Sequence, residues 1–154
     1  MTPARLVASG FGVGFSPAAP GTAGSLLALL LAIPLFPLPY ALPIAILIST
    51  AAGLWAIPTA LKTDAERSKD PGWVVIDEIA GQWITLLGLA QLTWLGVAAA
   101  FALFRLLDIT KPGPIGWADR QHGAVGVMAD DIIAGIIGAL ILAAIGQITR
   151  YLAG

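Results

Sequence analysis

Long apolar runs alternate with short polar stretches along this chain, and that alternation limits its fold more than any other feature. The apolar runs cover residues 25–33, 44–61, 79–107 and 132–148. Pro34, Pro37 and Pro39 stop the first run and Pro43 stands at the head of the second, just before Ile44, so the two predict a helical hairpin that turns through residues 33–40. A membrane-spanning helix takes about 20 residues. The last run meets that length, and the first is short. The stretch 79–107 is too long for one upright span and too short for two. Two forms are open to it: one strongly tilted helix, or a shallow re-entrant pair bent at Gln91, Leu92 and Thr93. The bent pair is the expectation, because it returns Asp108 to the side of Asp77 and Glu78. The whole predicts an all-α polytopic membrane protein: a single domain over residues 1–154, with five to six helices in one bundle and Gly/Pro-rich loops at the end that carries Asp77, Glu78 and Asp108.

Composition supports a bilayer as solvent. The chain is 58% apolar and 11% charged, against roughly 25% charged for an ordinary soluble domain, and its mean hydropathy is +0.89. Too few polar side chains remain to cover a water-facing surface. The competing reading is a soluble helical chain that hides its apolar surface in an oligomer. A net charge of −1 offers no basic field for nucleic acid. The absence of cysteine excludes disulfides, zinc–thiolate sites and a cysteine nucleophile. Residues 1–24 are broken by Gly12, Gly14, Pro17, Pro20 and Gly21, which does not read as a signal peptide. Arg5, Lys62, Arg67, Lys69, Arg105, Lys111 and Arg120 lie in the N-terminal segment or around the two long polar stretches, and residues 34–43 and 91–93 have no Lys or Arg. By the positive-inside tendency the polar stretches face the cytoplasm, with Arg150 as the exception on the far side.

The acids are grouped. Asp77 and Glu78 are expected to open one helix, Asp108 to close another, and Asp130 and Asp131 to open the last. A charge at the bilayer centre costs at least ~2.5–3.5 kcal/mol on insertion scales. Arg105, Lys111 and Arg120 cannot neutralise five carboxylates and also bind an anion. Oxygen-only ligands, with no Cys and a single His, point to Mg²⁺ held by Asp77, Glu78, Asp108, Asp130 and Asp131. Gly81 and Gly88 follow Asp77 on one helical face, while Gly135, Gly138 and Ala139 follow Asp131, so both faces suit close helix packing. Glu78, Gln82 and Thr85 form a polar stripe. The plainer alternative makes Asp130 and Asp131 acids at a helix N-terminus and Arg105–Asp108 an i, i+3 surface pair.

Residues 12–25 (GVGFSPAAPGTAGS) read as a flexible loop running into a helix. Gly14, Gly21 and Gly24 allow unusual backbone angles there, and Thr22 and Ser25 are available as caps. Such a loop offers N–H groups to an anion, or is simply the way into a helix; it lacks the Lys-Ser/Thr ending of a P-loop. The Asp-x-Asp-x-Thr pattern of haloacid-dehalogenase phosphatases is absent. The single histidine, His122, rules out a two-histidine phosphohistidine scheme and is expected to be solvated. The five Trp read as packing or interfacial anchors.

Four stretches together carry a family resemblance: GVGFSPAAPGTAGS (12–25), DPGWVVIDEIAGQW (70–83), FRLLDITKPGPIGWAD (104–119) and GAVGVMADDIIAG (123–135). The chain resembles phosphatidylglycerophosphatase A over residues 6–147. The resemblance implies a Mg²⁺-dependent phosphatase of the bacterial inner membrane that converts phosphatidylglycerophosphate to phosphatidylglycerol. It places the family's functional elements on Asp77 and Glu78, on Arg105, Asp108 and Lys111, and on Asp130 and Asp131. Arg105 and Lys111, with Gly21, Thr22, Gly24 and Ser25, are then the expected contacts of the substrate phosphate. Some relatives look soluble with an all-helical fold; this chain departs from them in hydrophobicity, so the helical architecture carries over and the membrane placement stands. Whether a metal-activated water or an Asp attacks phosphorus is open, as are metal number and oligomeric state. The rival class is a small membrane cation carrier or channel that uses the same acids as an ion path. A lipid headgroup transferase is disfavoured, because its D-x₂-D-G-x₂-A-R spacing is missing.

Overall fold

A computed structural model describes residues 1–62 and 71–153, and every regular element in them is helical. The polar residues 63–70, expected outside the hydrocarbon, lie outside the described residues, and Arg67 and Lys69 with them. The elements are α1 (Pro3–Ala8), a 3₁₀ turn (Val13–Phe15), α2 (Pro20–Leu35), α3 (Ala41–Leu61), α4 (Ile76–Leu86), α5 (Trp94–Thr110), α6 (Pro114–Asp119) and α7 (Gly123–Ala153). The five longer helices answer the apolar runs. The six-residue helices α1 and α6 lie outside the apolar runs, and each starts on a proline, whose fixed φ suits the first helical turn. The predicted hairpin is α2–α3, but α2 continues through Pro34 to Leu35, so the turn is residues 36–40 rather than 33–40, with Tyr40 left-handed at φ 63°. The stretch 79–107 is a bent pair, α4 and α5. Thr93 caps α5, its Oγ1 accepting from Gly96 N at 3.1 Å.

α4 lies at the centre and touches α7, α2, α3 and α5. Glycines let α7 come within backbone contact of it. A Cβ on Gly135 would stand 2.5 Å from the Gly81 carbonyl oxygen, one on Gly81 would stand 2.6 Å from that of Asp131, and one on Gly88 would overlap Ala139. Gly138 packs on Thr85, where a Cβ would meet Cγ2 at 3.0 Å. On its other side α4 is tied to α2 by Trp83, whose Nε1 donates to the Ala28 carbonyl at 2.7 Å.

α3 and α7 are long and apolar enough to cross a membrane, and only 28% and 22% of their most apolar windows are buried inside the protein. The core helix of a soluble protein would be mostly covered; here Leu47 and Leu140 are 70% and 66% exposed. The connectors share one end of the bundle. Residues 87–91 lie against Gly146, Gln147 and Arg150, and Phe36 and Pro37 lie near Leu92 and Trp94. Because α5 runs from Trp94 to Asp108, the acids gather at the opposite end.

Candidate active site

Three helices deliver the acids. Asp77 and Glu78 sit in the first turn of α4 and Asp108 in the last turn of α5, as expected. Asp130 and Asp131 do not open the last helix. α7 starts at Gly123, two turns earlier, because Val127 and Met128 are buried against Ala56, Ile57 and Ile76 and extend the helical face. Helix-dipole stabilisation fades within the first turn, so it does not account for the double aspartate. Asp77, Asp108, Asp130 and Asp131 are each at most 8% exposed. One carboxylate oxygen each from Asp77, Glu78 and Asp131 lie within 4.8 Å of one another, and so do those from Asp108, Asp130 and Asp131. Asp131 belongs to both groups.

Among the described residues two cations face these acids. Arg105 donates from Nη1 to Asp108 Oδ2 at 2.5 Å and stands 4.0 Å from Glu78 Oε1. Lys111 ends α5 in a left-handed conformation, φ 45°. Its Nζ donates to Asp130 Oδ2 and lies 3.1 Å from Asp119 and 3.7 Å from Asp108. Burial pulls the lysine pKa down, but Asp130, Asp119 and Asp108 outweigh it and hold the ammonium protonated well above its ordinary range. Negative charge still exceeds positive. Glu78 Oε2 and Asp130 Oδ1 are buried with no hydrogen-bond partner among the described residues, a costly state for a carboxylate. Two overlapping groups of oxygen ligands with unsatisfied oxygens suit a hard divalent cation, and no nitrogen or sulfur ligand competes in either group.

The glycine-rich stretch departs from its expectation. α2 already begins at Pro20, preceded by Ala19 at φ 46°, so Gly21, Thr22, Gly24 and Ser25 are helical rather than in a flexible loop. Gly14, Gly21 and Gly24 are all outside the left-handed region; they are needed for close approach instead. A side chain at Gly21 would overlap Glu78 Oε1 and meet Arg105 Nη1 at 3.1 Å, and one at Gly14 would strike the Trp73 carbonyl. Gly24 packs on Val75, where a Cβ would stand 2.7 Å from the valine Cβ, and not beside the cations. Ser25 is buried and bonds back to the Gly21 carbonyl at 3.0 Å, so it caps no helix. Gly21 is thus the member of this stretch whose place beside Arg105 is defined, at the N-terminus of α2. His122 is exposed, as expected.

Two residues escaped the sequence-based site. Asp119, at the end of α6, pairs with Lys111; its only signal was its place in the stretch that also carries Arg105 and Asp108. Gln82 is fully buried with neither side-chain polar atom bonded among the described residues. A glutamine one turn after Glu78 in an apolar helix was the visible hint.

The chain matches the family Phosphatidylglycerophosphatase A over residues 6–146. It is similar to phosphatidylglycerophosphatase A of Escherichia coli (strain K12), at 43% identity over 151 residues, covering 94% of this chain and 84% of that protein. The Haemophilus influenzae protein of the same name is 37% identical over 147 residues, covering 94% and 90%. A Bacteroides thetaiotaomicron protein, named provisionally as a phosphatidylinositol-3-phosphatase, is 43% identical over 147 residues, covering 90% of each chain. No solved structure matches.

Proposed function

Because this chain belongs to the phosphatidylglycerophosphatase A family and is a phosphatase, we propose that it removes the terminal phosphate of phosphatidylglycerophosphate in a Mg²⁺-dependent reaction at the cytoplasmic edge of the bacterial inner membrane. The observation that carries this reading is the meeting of five carboxylates from three helices in two oxygen groups that share Asp131. Asp77, Glu78, Asp108, Asp130 and Asp131 would hold one or two Mg²⁺ ions. Bound there, Mg²⁺ supplies charge that screens the phosphate and acidifies water.

The chain's own residues have distinct tasks. Arg105 presents a planar fork of N–H donors that matches phosphoryl oxygens, and Asp108 orients it. Lys111, kept charged by Asp130 and Asp119, adds a second cation. Together they hold oxygens whose negative charge grows as the ester bond breaks. The N–H of Gly21 stands at the start of α2, where unpaired helical N–H groups favour an anion. The outward apolar faces of α3 and α7 support a multi-pass placement. The acids precede the last 22 residues of α7, a length of about 33 Å at 1.5 Å per residue, which matches the hydrocarbon core of about 30 Å. That match supports a site level with the headgroups.

The test is phosphate release by the purified protein in detergent micelles, with phosphatidylglycerophosphate and phosphatidylinositol 3-phosphate as parallel substrates. Release from the first is expected to stop with EDTA and return with Mg²⁺. Asp77→Ala and Asp131→Ala are expected to be inactive while eluting as the folded protein does. Near-normal turnover in both variants would defeat the proposed site. Preference for the inositol lipid would keep the chemistry and overturn the substrate. Cation flux in proteoliposomes without phosphate release would favour a carrier.

A further inference from the structure

A groove of about 730 Å³ opens between α2, α5 and the α4–α5 turn, and we propose that it holds one acyl chain of the lipid whose phosphate the acidic end receives. The proposal rests on the lipid-phosphatase reading above and adds a place for the part of the substrate that does not react. The α5 wall is made by Trp94, Ala98 and Phe101. These stand at i−11, i−7 and i−4 from Arg105, so the apolar wall and the guanidinium share one helical stripe. The α2 wall is made by Leu26, Leu30 and Ile33, which begin little more than a turn beyond Gly21. At the top the two walls meet, since Gly21 directly abuts Arg105.

Length agrees with this continuity. Eleven residues of helix separate Trp94 from Arg105, about 16 Å of rise. One leaflet of hydrocarbon is about 15 Å deep, half of a core of about 30 Å. A lipid with its phosphate at Arg105 would therefore run its chain down the groove to the level of the α4–α5 turn. The groove is also open to the side, with Leu30 and Ile33 both more than 60% exposed, so a chain can enter from the bilayer without leaving it. Lipid tails are as apolar as these walls, so the groove adds little attraction. Its effect is orientation, holding the phosphate in one pose for attack.

Filling the groove tests the idea. Ala98→Trp blocks the α5 wall and Leu30→Trp the α2 wall, and neither touches the acids or cations. The substrates are phosphatidylglycerophosphate with two sixteen-carbon chains and its fully deacylated, water-soluble counterpart. For each variant kcat/KM on the long-chain lipid is expected to fall about tenfold or more, with kcat/KM on the deacylated ester unchanged. Equal behaviour on the two substrates, whether both fall or neither does, overturns the groove. A long-chain lipid carrying a mid-chain diazirine reads the same question without turnover. It is expected to label residues 94–101 or 26–33, and labelling confined to other segments overturns the proposal. Because crosslinking needs no hydrolysis, failure of the groove and failure of the phosphatase reading are separable.

Discussion

The α4–α7 seam and the α2–α5 seam start at the same acidic end and are built in opposite ways. In the first, Gly81, Gly135, Gly138 and Gly88 remove the side chains and let backbones touch. In the second, Leu26, Leu30, Phe101 and Trp94 hold the helices apart and leave space. The difference follows what each seam has to deliver. Asp77, Glu78 and Asp131 can share one cation only if α4 and α7 are closer than ordinary side chains permit. A helix pair that borders a lipid chain has the reverse need. Small residues therefore mark where charges must converge, and large ones mark where substrate must fit.

The closed seam is the place where a single change should have the greatest effect. Asp131 lies in both oxygen groups and is buried beside four other acids. Asp131→Asn is expected to reduce Mg²⁺-dependent phosphate release to background. It should also raise the apparent Tm measured without metal, since one repelling buried charge is gone, and abolish the further rise on adding Mg²⁺. A variant whose Tm still climbs normally with Mg²⁺ would show that the metal binds without Asp131. The next effect comes from widening the seam. Gly135→Val pushes a branched side chain into the Gly81 carbonyl and Ile84, and overpacking of this kind costs about 1–3 kcal/mol. Because the carboxylates shift apart, activity should fall by about 10² while all five acids remain. Intact activity in Gly135→Val would mean that the seam does not set their spacing.

How far the chain could be read in advance follows from the same contrast. Helices, hairpin and bent pair were legible because proline and apolar run length are local signals, and Thr93 at the bend is a capping residue. The small-residue faces of α4 and α7 were legible because helical spacing is regular. Contact between them is not local, and the meeting of Asp131 with Asp77 and Glu78 could only be expected from the cost of leaving acids uncompensated. In the stretch 12–25 the local signal misleads from Pro20 onward, where the chain is already helical. Gly21 and Gly24 look like residues that permit unusual angles, whereas their use is to admit Glu78, Arg105 and Val75, each more than fifty residues away. Likewise α7 starts earlier than its apolar run suggests, because Val127 and Met128 acquire their helical role by burial against α3. The open groove left no local mark, since leucines that line a cavity look like leucines that fill a core.

Where the two seams meet, Arg105 serves both. Its guanidinium bonds Asp108, approaches Glu78 and caps the groove wall. Arg105→Lys keeps the charge and loses the fork, so it cannot hold Asp108 and a phosphoryl oxygen together with the same geometry. kcat/KM is expected to fall about tenfold, a loss of about 1.4 kcal/mol of transition-state stabilisation, with Mg²⁺ affinity little changed. An equal activity in the lysine variant would reduce Arg105 to a point charge.

The smallest effect belongs to the bond that joins the two seams. Trp83 packs in the core between α2 and α4, 7% exposed, and its indole N–H reaches the Ala28 carbonyl. Trp83→Phe retains an aromatic ring of lesser size and removes the donor. The lost hydrogen bond is worth about 1 kcal/mol, which for a chain of this length lowers Tm by about 2–4 °C. Neither the acids nor the cations move if α4 is positioned by its glycine contacts with α7, so turnover at saturating Mg²⁺ should be unchanged while Tm drops. A fall in turnover as large as that of Gly135→Val would reverse the ranking. It would mean that α4 is placed from the α2 side, and that the open seam governs the geometry of the closed one.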